Sequence, residues 1–271
     1  MKGSAAPAEV RTAGGPSHEM LGVRFDLLTT PALLAAVGDA VESGERRIIA
    51  GHNMHSVYLF HEDAKMRRFY DQAARIFLDG MPLVWVARTL GYRASREHRH
   101  APIDWMPPLL ARAAERGWKV FFLGSLPEVE LRAAERLRAR FPGLQLATHH
   151  GYFDATPGSP EAEEVIRQIS DFRPNLLCVC MGMPRQEHWI VDHLERLDAN
   201  AIFDLGALME LFAGDLPIPP RWVGQVGLEW LYRLVSHPTR VWRRYLVEPW
   251  SLIPHLARDL ARRRSAPPRL P

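Results

Sequence analysis

The sequence contains little cysteine and no long hydrophobic run. Two Cys among 271 residues exclude a framework of disulfide bonds and favour a reducing compartment. No stretch approaches the roughly 20 consecutive apolar residues that a membrane-spanning helix needs, and residues 1–20 lack the apolar region of a secretory signal. We therefore expect a cytoplasmic protein that is either soluble or bound peripherally to a membrane.

Several motifs of common enzyme sites are also absent. The chain has no HExxH and no Cys/His quartet, which are typical zinc sites, and no GxSxG of the kind found in hydrolases. It also has no DxD, the motif that often holds the divalent cation of a nucleotide sugar. The histidines at 97–100 and 149–150 are typical of polar loops, and Cys178 and Cys180 alternate in an apolar strand as core residues do. These patterns predict no metal site and no cofactor.

Charge of both signs is present but unevenly distributed. Hydrophobic residues make up 47% and charged residues 24% of the chain, which suffices for a core and excludes disorder of the whole chain. Residues 221–271 hold ten Arg, no Lys and three acidic residues, a net charge of +7. The remainder has 24 basic and 28 acidic residues, a net charge of −4. The overall charge of +3 therefore comes from the C-terminal segment.

Composition divides the chain into four parts. Residues 1–20 are small, polar and rich in Gly, Ala and Pro, and we expect them to form a disordered arm. Residues 21–214 have the pattern of an α/β catalytic domain. Residues 215–260 begin with a Pro-rich connector and continue as a basic, aromatic appendage of helices broken by proline. Residues 261–271 are predicted to be a disordered tail.

Short apolar runs alternate with longer amphipathic segments through the catalytic domain. Segments 127–143 and 159–172 have apolar residues at helical spacing and residues typical of helix ends. The runs that predict strands are 46–53, 75–80, 118–124, 144–150, 176–182 and 199–206. The alternation predicts an α/β fold with a mostly parallel, Rossmann-like sheet and helices on both faces. Because ligands bind beyond the carboxyl ends of such strands, the polar residues there are the candidates for chemistry.

Asp79 ends one of these predicted strands, in the segment LDGMP. At that position a carboxylate can act as a general base or bind a sugar hydroxyl. The alternative is a turn residue that caps the next helix. Spacing alone leaves both interpretations open.

Two strand-to-helix junctions are further candidates. In MGMPRQEHW (181–189), Gly182 allows close approach of a ligand, and the helix that follows offers free N–H groups to a phosphate or sugar oxygen. Gln186 and Glu187 belong to the same junction, although Glu187 alone would also be explained by the helix dipole. Gly124 and Ser125 lie at a second junction, which is a weaker signal because it has neither GxGxxG nor a P-loop Lys.

The appendage combines its arginines with Trp and Tyr, and three functions fit that composition. It can bind nucleic acid, lie on an anionic membrane surface, or fold over the active site and offer Arg to a diphosphate. A solvated helical subdomain is the fourth interpretation. The aromatic and Leu content favours the second and third functions together, and the chain has no RNA-binding motif. We therefore predict no nucleic-acid partner.

Segments spread along the chain resemble the WecG/TagA/CpsF glycosyltransferase family. The resemblance runs from roughly Leu21 to Pro254 and is most specific in PRQE (184–187) and GLEWLYRL (227–234). It also rests on Asn53, LDGMP with Asp79, FFLGS (121–125), GYFD (151–154) and FDLGALMELFAGDLPIPPRW (203–222).

The resemblance implies an inverting glycosyltransferase that moves a sugar from a UDP-sugar to a polyprenyl-diphosphate-linked glycan. It assigns to Asp79 the general base that takes the proton of the acceptor hydroxyl. Cationic side chains would stabilise the leaving UDP, and the resemblance gives this role to Arg240, Arg243 and Arg244. The other substrate-binding positions that it implies are Asn53, Asp104, Gly124, Ser125, Tyr152, Gly182, Gln186 and Glu187.

The resemblance also implies where the protein works. Such enzymes act at the inner face of the cell membrane, and the appendage would hold this one there peripherally. Homo-oligomer formation is left open. Several segments resemble in sequence the exopolysaccharide branch of the family more than its teichoic-acid branch. This favours a hexose over N-acetylmannosamine as the transferred sugar.

The chain departs from the family pattern at two places. Gly51 replaces a Thr that usually lies two residues before the Asn matched by Asn53, and we consider His52 or His55 as substitutes for the missing hydroxyl. Pro102 stiffens the loop before Asp104. Two other function classes stay open: a nucleotide-sugar epimerase, which would not need the appendage, and a non-catalytic lipid-binding assembly factor.

Overall fold

A parallel sheet of six strands forms the centre of the computed structural model, which describes residues 11–12, 15–220, 223–224 and 227–264. The strands are β4 (Arg47–His52), β5 (Ala73–Leu78), β6 (Lys119–Gly124), β7 (Gln145–His149), β8 (Leu176–Cys180) and β9 (Ala201–Asp204). Their order across the sheet is β5-β4-β9-β8-β6-β7, and every pair is parallel. All six strands coincide with the predicted apolar runs, so the predicted α/β fold is confirmed.

Helices cover both faces of this sheet. They are α1 (Thr30–Ser43), α2 (Met54–Glu62), α3 (Ala64–Gln72), α4 (Met81–Thr89), α5 (Pro102–Arg116), α6 (Pro127–Arg140), α7 (Pro160–Phe172), α8 (Arg185–His193) and α9 (Leu208–Ala213), with short 3-10 turns at Arg96–His98 and Leu194–Arg196. The side chains of successive strand residues point to opposite faces of the sheet. The apolar strands therefore contribute side chains to two cores, one on each face. Cys178 and Cys180 lie in the core beneath α1, α5, α6 and α9, as predicted.

Local sequence signals account for the helix ends. The hydroxyl of Ser159 accepts a hydrogen bond from the Ala162 N–H at 3.1 Å, Pro160 follows it, and Glu161 and Glu163 stand in the first turn of α7. These are the residues that satisfy and complement a helix N-terminus. The buried side of α7 then contributes Val165, Ile166 and Ile169 to the second core.

An antiparallel ribbon precedes the catalytic sheet. It consists of β1 (Arg11–Thr12), β2 (Gly15–Met20) and β3 (Val23–Asp26), and a tight turn with positive φ at Leu21 and Gly22 joins the last two. The expectation of disorder is wrong for residues 15–20, because β2 pairs with a strand whose Val23 and Phe25 are buried. Residues 1–10 lie outside the described residues.

The appendage is helical, as predicted. Its helices are α10 (Glu229–Ser236), α11 (Pro238–Leu246), α12 (Glu248–Ser251) and α13 (Ile253–Arg264). Leu252 is buried in a third core with the ribbon and α4, and the Asp259 carboxylate accepts a hydrogen bond from the Leu21 N–H at 2.6 Å. Because α13 reaches Arg264, the predicted tail is wrong for residues 261–264, whereas 265–271 lie outside the described residues. Within the described chain, no helix is long and apolar enough to cross a membrane.

Candidate active site

The carboxyl ends of the six parallel strands meet at one edge of the sheet, which we call the mouth. Asp79 follows β5 and Asn53 follows β4, its neighbour. The Asn53 amide Nδ2 donates to Asp79 Oδ2 at 3.3 Å, while Asn53 Oδ1 accepts from the N–H groups of His55 and Ser56 and caps α2. Helix α4 begins after Gly80 without a side-chain cap. Asp79 is therefore a half-buried carboxylate at the mouth and does not cap the next helix.

A cleft of about 130 Å³ lies at the ends of β6, β8 and β9. Three of the predicted substrate-binding positions, Ser125, Tyr152 and Gly182, line its walls together with Arg185. A fourth, Gly124, ends β6 immediately before Ser125. The Ser125 hydroxyl is buried and has no hydrogen-bond partner in the described part of the chain. The cleft therefore offers an unpaired hydroxyl and an exposed aromatic ring to a polar ligand.

Gly124 allows the strands beside this cleft to approach each other. A Cβ atom at residue 124 would lie 2.2 Å from the carbonyl oxygen of Cys180, and φ is +157°. We expect Gly124→Ala to lower the free energy of unfolding by about 3 kcal/mol or more, because backbone atoms would have to move.

Gly143 provides a matched control for that variant. It also has a positive φ, but in the described structure nothing lies within 4 Å of a Cβ built there. Gly143→Ala should therefore cost only about 1 kcal/mol, from backbone strain. Denaturant unfolding of both variants measures the difference, and equal losses would show that the clash with Cys180 is not decisive.

Gln186 and Glu187 lie below the mouth and are fully buried. Gln186 Oε1 accepts from the N–H groups of Gly182 at 3.1 Å and Gly206 at 3.0 Å, and its Nε2 donates to Glu187 Oε1 at 2.8 Å. The Gln186 amide therefore holds the ends of β8 and β9 together, and the predicted contact of Gln186 with substrate stays a prediction.

Glu187 keeps one carboxylate oxygen, Oε2, without a hydrogen-bond partner among the described residues. Burial raises the pKa of Glu187 to about 7, and the Gln186 hydrogen bond and the Arg244 charge oppose that rise. A buried acid of this kind, beside a strand end, is typical of functional sites.

The appendage contacts the catalytic domain beside Asn53. Its buried Glu248 Oε2 lies 2.5 Å from His55 Nδ1. Burial, followed by the charge of Arg244, lowers the pKa of His55, while the Glu248 contact raises it. The charge of Arg244 lowers the pKa of both His55 and Glu187, so this predicted arginine is electrostatically coupled to two residues beside the mouth.

The other two predicted arginines differ from Arg244. Arg243 is exposed on α11, and the side chain of Arg240 lies outside the described residues. Asp104, another predicted substrate-binding residue, is largely exposed and pairs with Arg99 at 2.9 Å. Arg99 in turn pairs with Glu229 of the appendage, so Asp104 helps to hold this contact and is not among the residues that line the cleft.

The missing hydroxyl at position 51 has a steric explanation. A Cβ on Gly51 would lie 2.7 Å from the ring of Phe77, its partner residue in β5. His52 does not replace the hydroxyl, since it is fully buried, stacks on Tyr70 at 3.8 Å, and has its pKa lowered by burial to about 3. His55 is engaged with Glu248.

Asp204 and Arg185 lie at carboxyl ends of predicted strands, where the sequence pattern places candidates for chemistry, although it gives neither of them a role. Sequence reasoning missed two other polar residues near the mouth, Tyr70 and Glu248. Tyr70 lies within a helix, and Glu248 within the appendage, so only the folded structure shows their contacts. Among the residues that the structure describes, no cluster of three or more His, Cys, Asp or Glu side chains is arranged to hold a metal ion.

Comparison with known proteins gives consistent matches. A model described as "Glycosyl transferase WecG/TagA/CpsF family" matches residues 18–266. Relatives from Staphylococcus aureus strains MW2, NCTC 8325 / PS 47 and COL are each 30% identical over 227 residues, which is 83% of this chain and 87% of theirs. All three carry the name N-acetylglucosaminyldiphosphoundecaprenol N-acetyl-beta-D-mannosaminyltransferase.

Proposed function

Because the chain belongs to the WecG/TagA/CpsF family of glycosyl transferases, we propose that it moves a sugar from a UDP-sugar to a polyprenyl-diphosphate-linked glycan. The observation that carries this proposal is that the carboxylate of Asp79, held by Asn53, and a polar cleft lie at the same edge of the sheet. The relatives' names specify an acceptor of the same chemical class, a sugar joined to undecaprenol through a diphosphate.

Asp79 is proposed as the general base of a single displacement. Asn53 donates to Asp79 Oδ2, which leaves Oδ1 to accept the proton of the acceptor hydroxyl. The hydroxyl oxygen then attacks the anomeric carbon as the bond to the diphosphate breaks, and the configuration inverts. A general base placed in this way typically contributes about 10²–10⁴-fold to the rate.

The donor diphosphate is proposed to lie between the cleft and Arg244. The Ser125 hydroxyl and backbone N–H groups beside Gly182 would donate hydrogen bonds to its oxygen atoms, and the Arg244 guanidinium would stabilise the charge that develops on the leaving UDP. The Arg185 guanidinium already donates a hydrogen bond to the Phe153 carbonyl at 2.8 Å, so its role is to hold one wall of the cleft in place.

The identity of the donor sugar is the most specific part of the proposal. The branch resemblance favours a hexose, whereas the named relatives transfer an N-acetylmannosaminyl group. Thermal unfolding of the full chain with a panel of UDP-sugars, including UDP-glucose and UDP-N-acetylmannosamine, decides between them.

We expect one member of the panel to raise the unfolding midpoint. A ligand at a concentration of about 100 times its Kd raises the free energy of unfolding by about 2.7 kcal/mol. For a chain of this size, that raises the unfolding midpoint by about 5–10 °C. UMP serves as the control, because it lacks both the diphosphate and the sugar. If no UDP-sugar shifts the midpoint more than UMP does, the proposed donor class is wrong.

The appendage is proposed to rest on the inner face of the cell membrane, next to the lipid-linked acceptor. Its exposed large apolar side chains are Leu228, Leu231, Val235, Trp242, Leu246, Val247, Trp250 and Ile253. Arg258, Arg262 and Arg263 follow on α13. Apolar insertion together with arginines near anionic headgroups is a typical mode of peripheral binding.

Salt should weaken this membrane association. Each Arg near an anionic surface contributes about 1 kcal/mol at low ionic strength, and added salt screens that contribution. Co-sedimentation of the full chain with vesicles of phosphatidylglycerol and phosphatidylcholine should therefore fall as salt rises. Vesicles of phosphatidylcholine alone are the control. Binding that is equal at low and high salt would contradict the electrostatic role of the arginines.

A further inference from the structure

Strands β4 and β9 separate before they reach the mouth. Their pairing consists of Arg47 with Ala201 and Ile48 with Ile202. Further along β4, at Gly51, hydrogen bonds to side chains replace the backbone hydrogen bonds between the two strands. The Gly51 N–H donates to Asp204 Oδ1 at 3.0 Å, and the Tyr70 hydroxyl donates to the Gly51 carbonyl at 3.1 Å. Both polar groups of this buried peptide residue are thereby satisfied.

A third contact, between Tyr70 and Asp204, completes a closed set of contacts among Gly51, Tyr70 and Asp204, which we call the ring. Tyr70 Oη lies 3.4 Å from Asp204 Oδ2, and both residues are buried. Tyr70 has a single proton, and of the two acceptors within its reach the Gly51 carbonyl at 3.1 Å is closer than Asp204 Oδ2 at 3.4 Å. A proton on Asp204 Oδ2 would make the third contact a hydrogen bond, whereas an ionised Asp204 would face the lone pairs of Tyr70.

The electrostatic surroundings of Asp204 favour the same protonation state. Burial raises the pKa of Asp204 well above its usual range, and the nearby carboxylates of Glu187 and Asp79 raise it further, against hydrogen bonds from the backbone. Its described hydrogen-bond partners are backbone N–H groups, that of Gly51 among them, and the Tyr70 hydroxyl, and none of these is a cation.

The ring is connected to the proposed base through two consecutive residues. The His52 carbonyl accepts the Asp79 N–H at 2.7 Å, and the Asn53 amide donates to Asp79 Oδ2 at 3.3 Å. His52 also stacks on the Tyr70 ring at 3.8 Å. Both the backbone and the carboxylate of Asp79 therefore depend on where β4 ends.

We propose that Asp204, as a neutral acid, acts with Tyr70 as a positioning residue that fixes the end of β4 and thereby aims the Asp79 carboxylate. The proposal rests on the function proposed above for what Asp79 does. Asp204 itself touches no reacting atom. A small displacement of a catalytic group can lower turnover about 100-fold.

Substitutions can separate the neutral acid from an ionised one. Asp204→Asn keeps an acceptor for Gly51 and places an N–H donor against Tyr70, so its kcat should stay within about threefold of the wild type. Asp204→Ala should lower kcat about 10–100-fold with little change in donor KM, and Tyr70→Phe should lower it about tenfold. Tyr92→Phe removes a hydroxyl that contacts Glu19 in the ribbon, and this control should leave kcat unchanged.

A second measurement does not depend on turnover. The infrared spectrum of the full chain at neutral pH, minus that of Asp204→Asn, should contain the C=O stretch of a protonated carboxylic acid. If that band is absent, or if Asp204→Asn is as impaired as Asp204→Ala, the proposal is overturned. Absence of transfer in the wild type would instead count against the proposed function, and the infrared difference would still test the state of Asp204.

Discussion

Asp79→Asn is expected to reduce turnover by about 10²–10⁴-fold at saturating donor and acceptor. The amide has nearly the same shape and can still accept the hydrogen bond that Asn53 donates at 3.3 Å. It cannot take a proton from the acceptor hydroxyl. Donor binding should therefore persist, and the loss should appear in kcat.

Single-turnover kinetics together with calorimetric titration of the donor check this result. Asp71→Asn, an exposed change on α3, is a control for loss of a carboxylate outside the mouth. Full turnover of Asp79→Asn with saturating substrates would remove Asp79 from the role of base. Loss of donor binding would mean that the carboxylate holds the donor.

Arg244→Ala is expected to reduce kcat by about 10²–10³-fold, the usual effect of removing one group that stabilises charge in the transition state. Arg244 is the predicted appendage arginine whose charge acts on both Glu187 and His55. Arg244→Lys should retain part of the activity, because Lys keeps the charge but loses the planar pair of donors.

The measurement uses a short-chain acceptor in detergent, so that membrane binding does not limit the rate. Arg262→Ala is the matched control, because Arg262 is an exposed arginine on α13. Unchanged kcat in Arg244→Ala would mean that the appendage supplies no charge to the reaction. Such a result would favour an enzyme that needs no appendage, such as an epimerase.

Sequence reasoning located the six strands because each is a local apolar run that ends at a polar residue or Gly. It could also place Asp79 and Asn53 at one edge, since parallel strands share their carboxyl ends. Their direct contact depends on β4 and β5 being neighbours, which the strand pattern alone does not determine.

Several roles could not be derived from local patterns, since they arise from tertiary contacts. PRQE suggested a ligand-facing Gln186, yet its amide is used by two backbone N–H groups from different strand ends. The ring of Tyr70, Gly51 and Asp204 joins a helix and two strands. Strand β2 of the ribbon was missed because its sequence is small and polar except at Met20, and it is stabilised by pairing with β3, whose Val23 and Phe25 are buried.

Transfer to a lipid-linked acceptor is tested most directly by incubating the full chain with a UDP-sugar that stabilises it and a polyprenyl-diphosphate-linked glycan. We predict release of UDP that requires the acceptor, together with a lipid product one sugar longer whose new linkage shows the inverted anomeric configuration by NMR. Release of UDP without a longer lipid product, or a product with retained configuration, would contradict the proposed reaction.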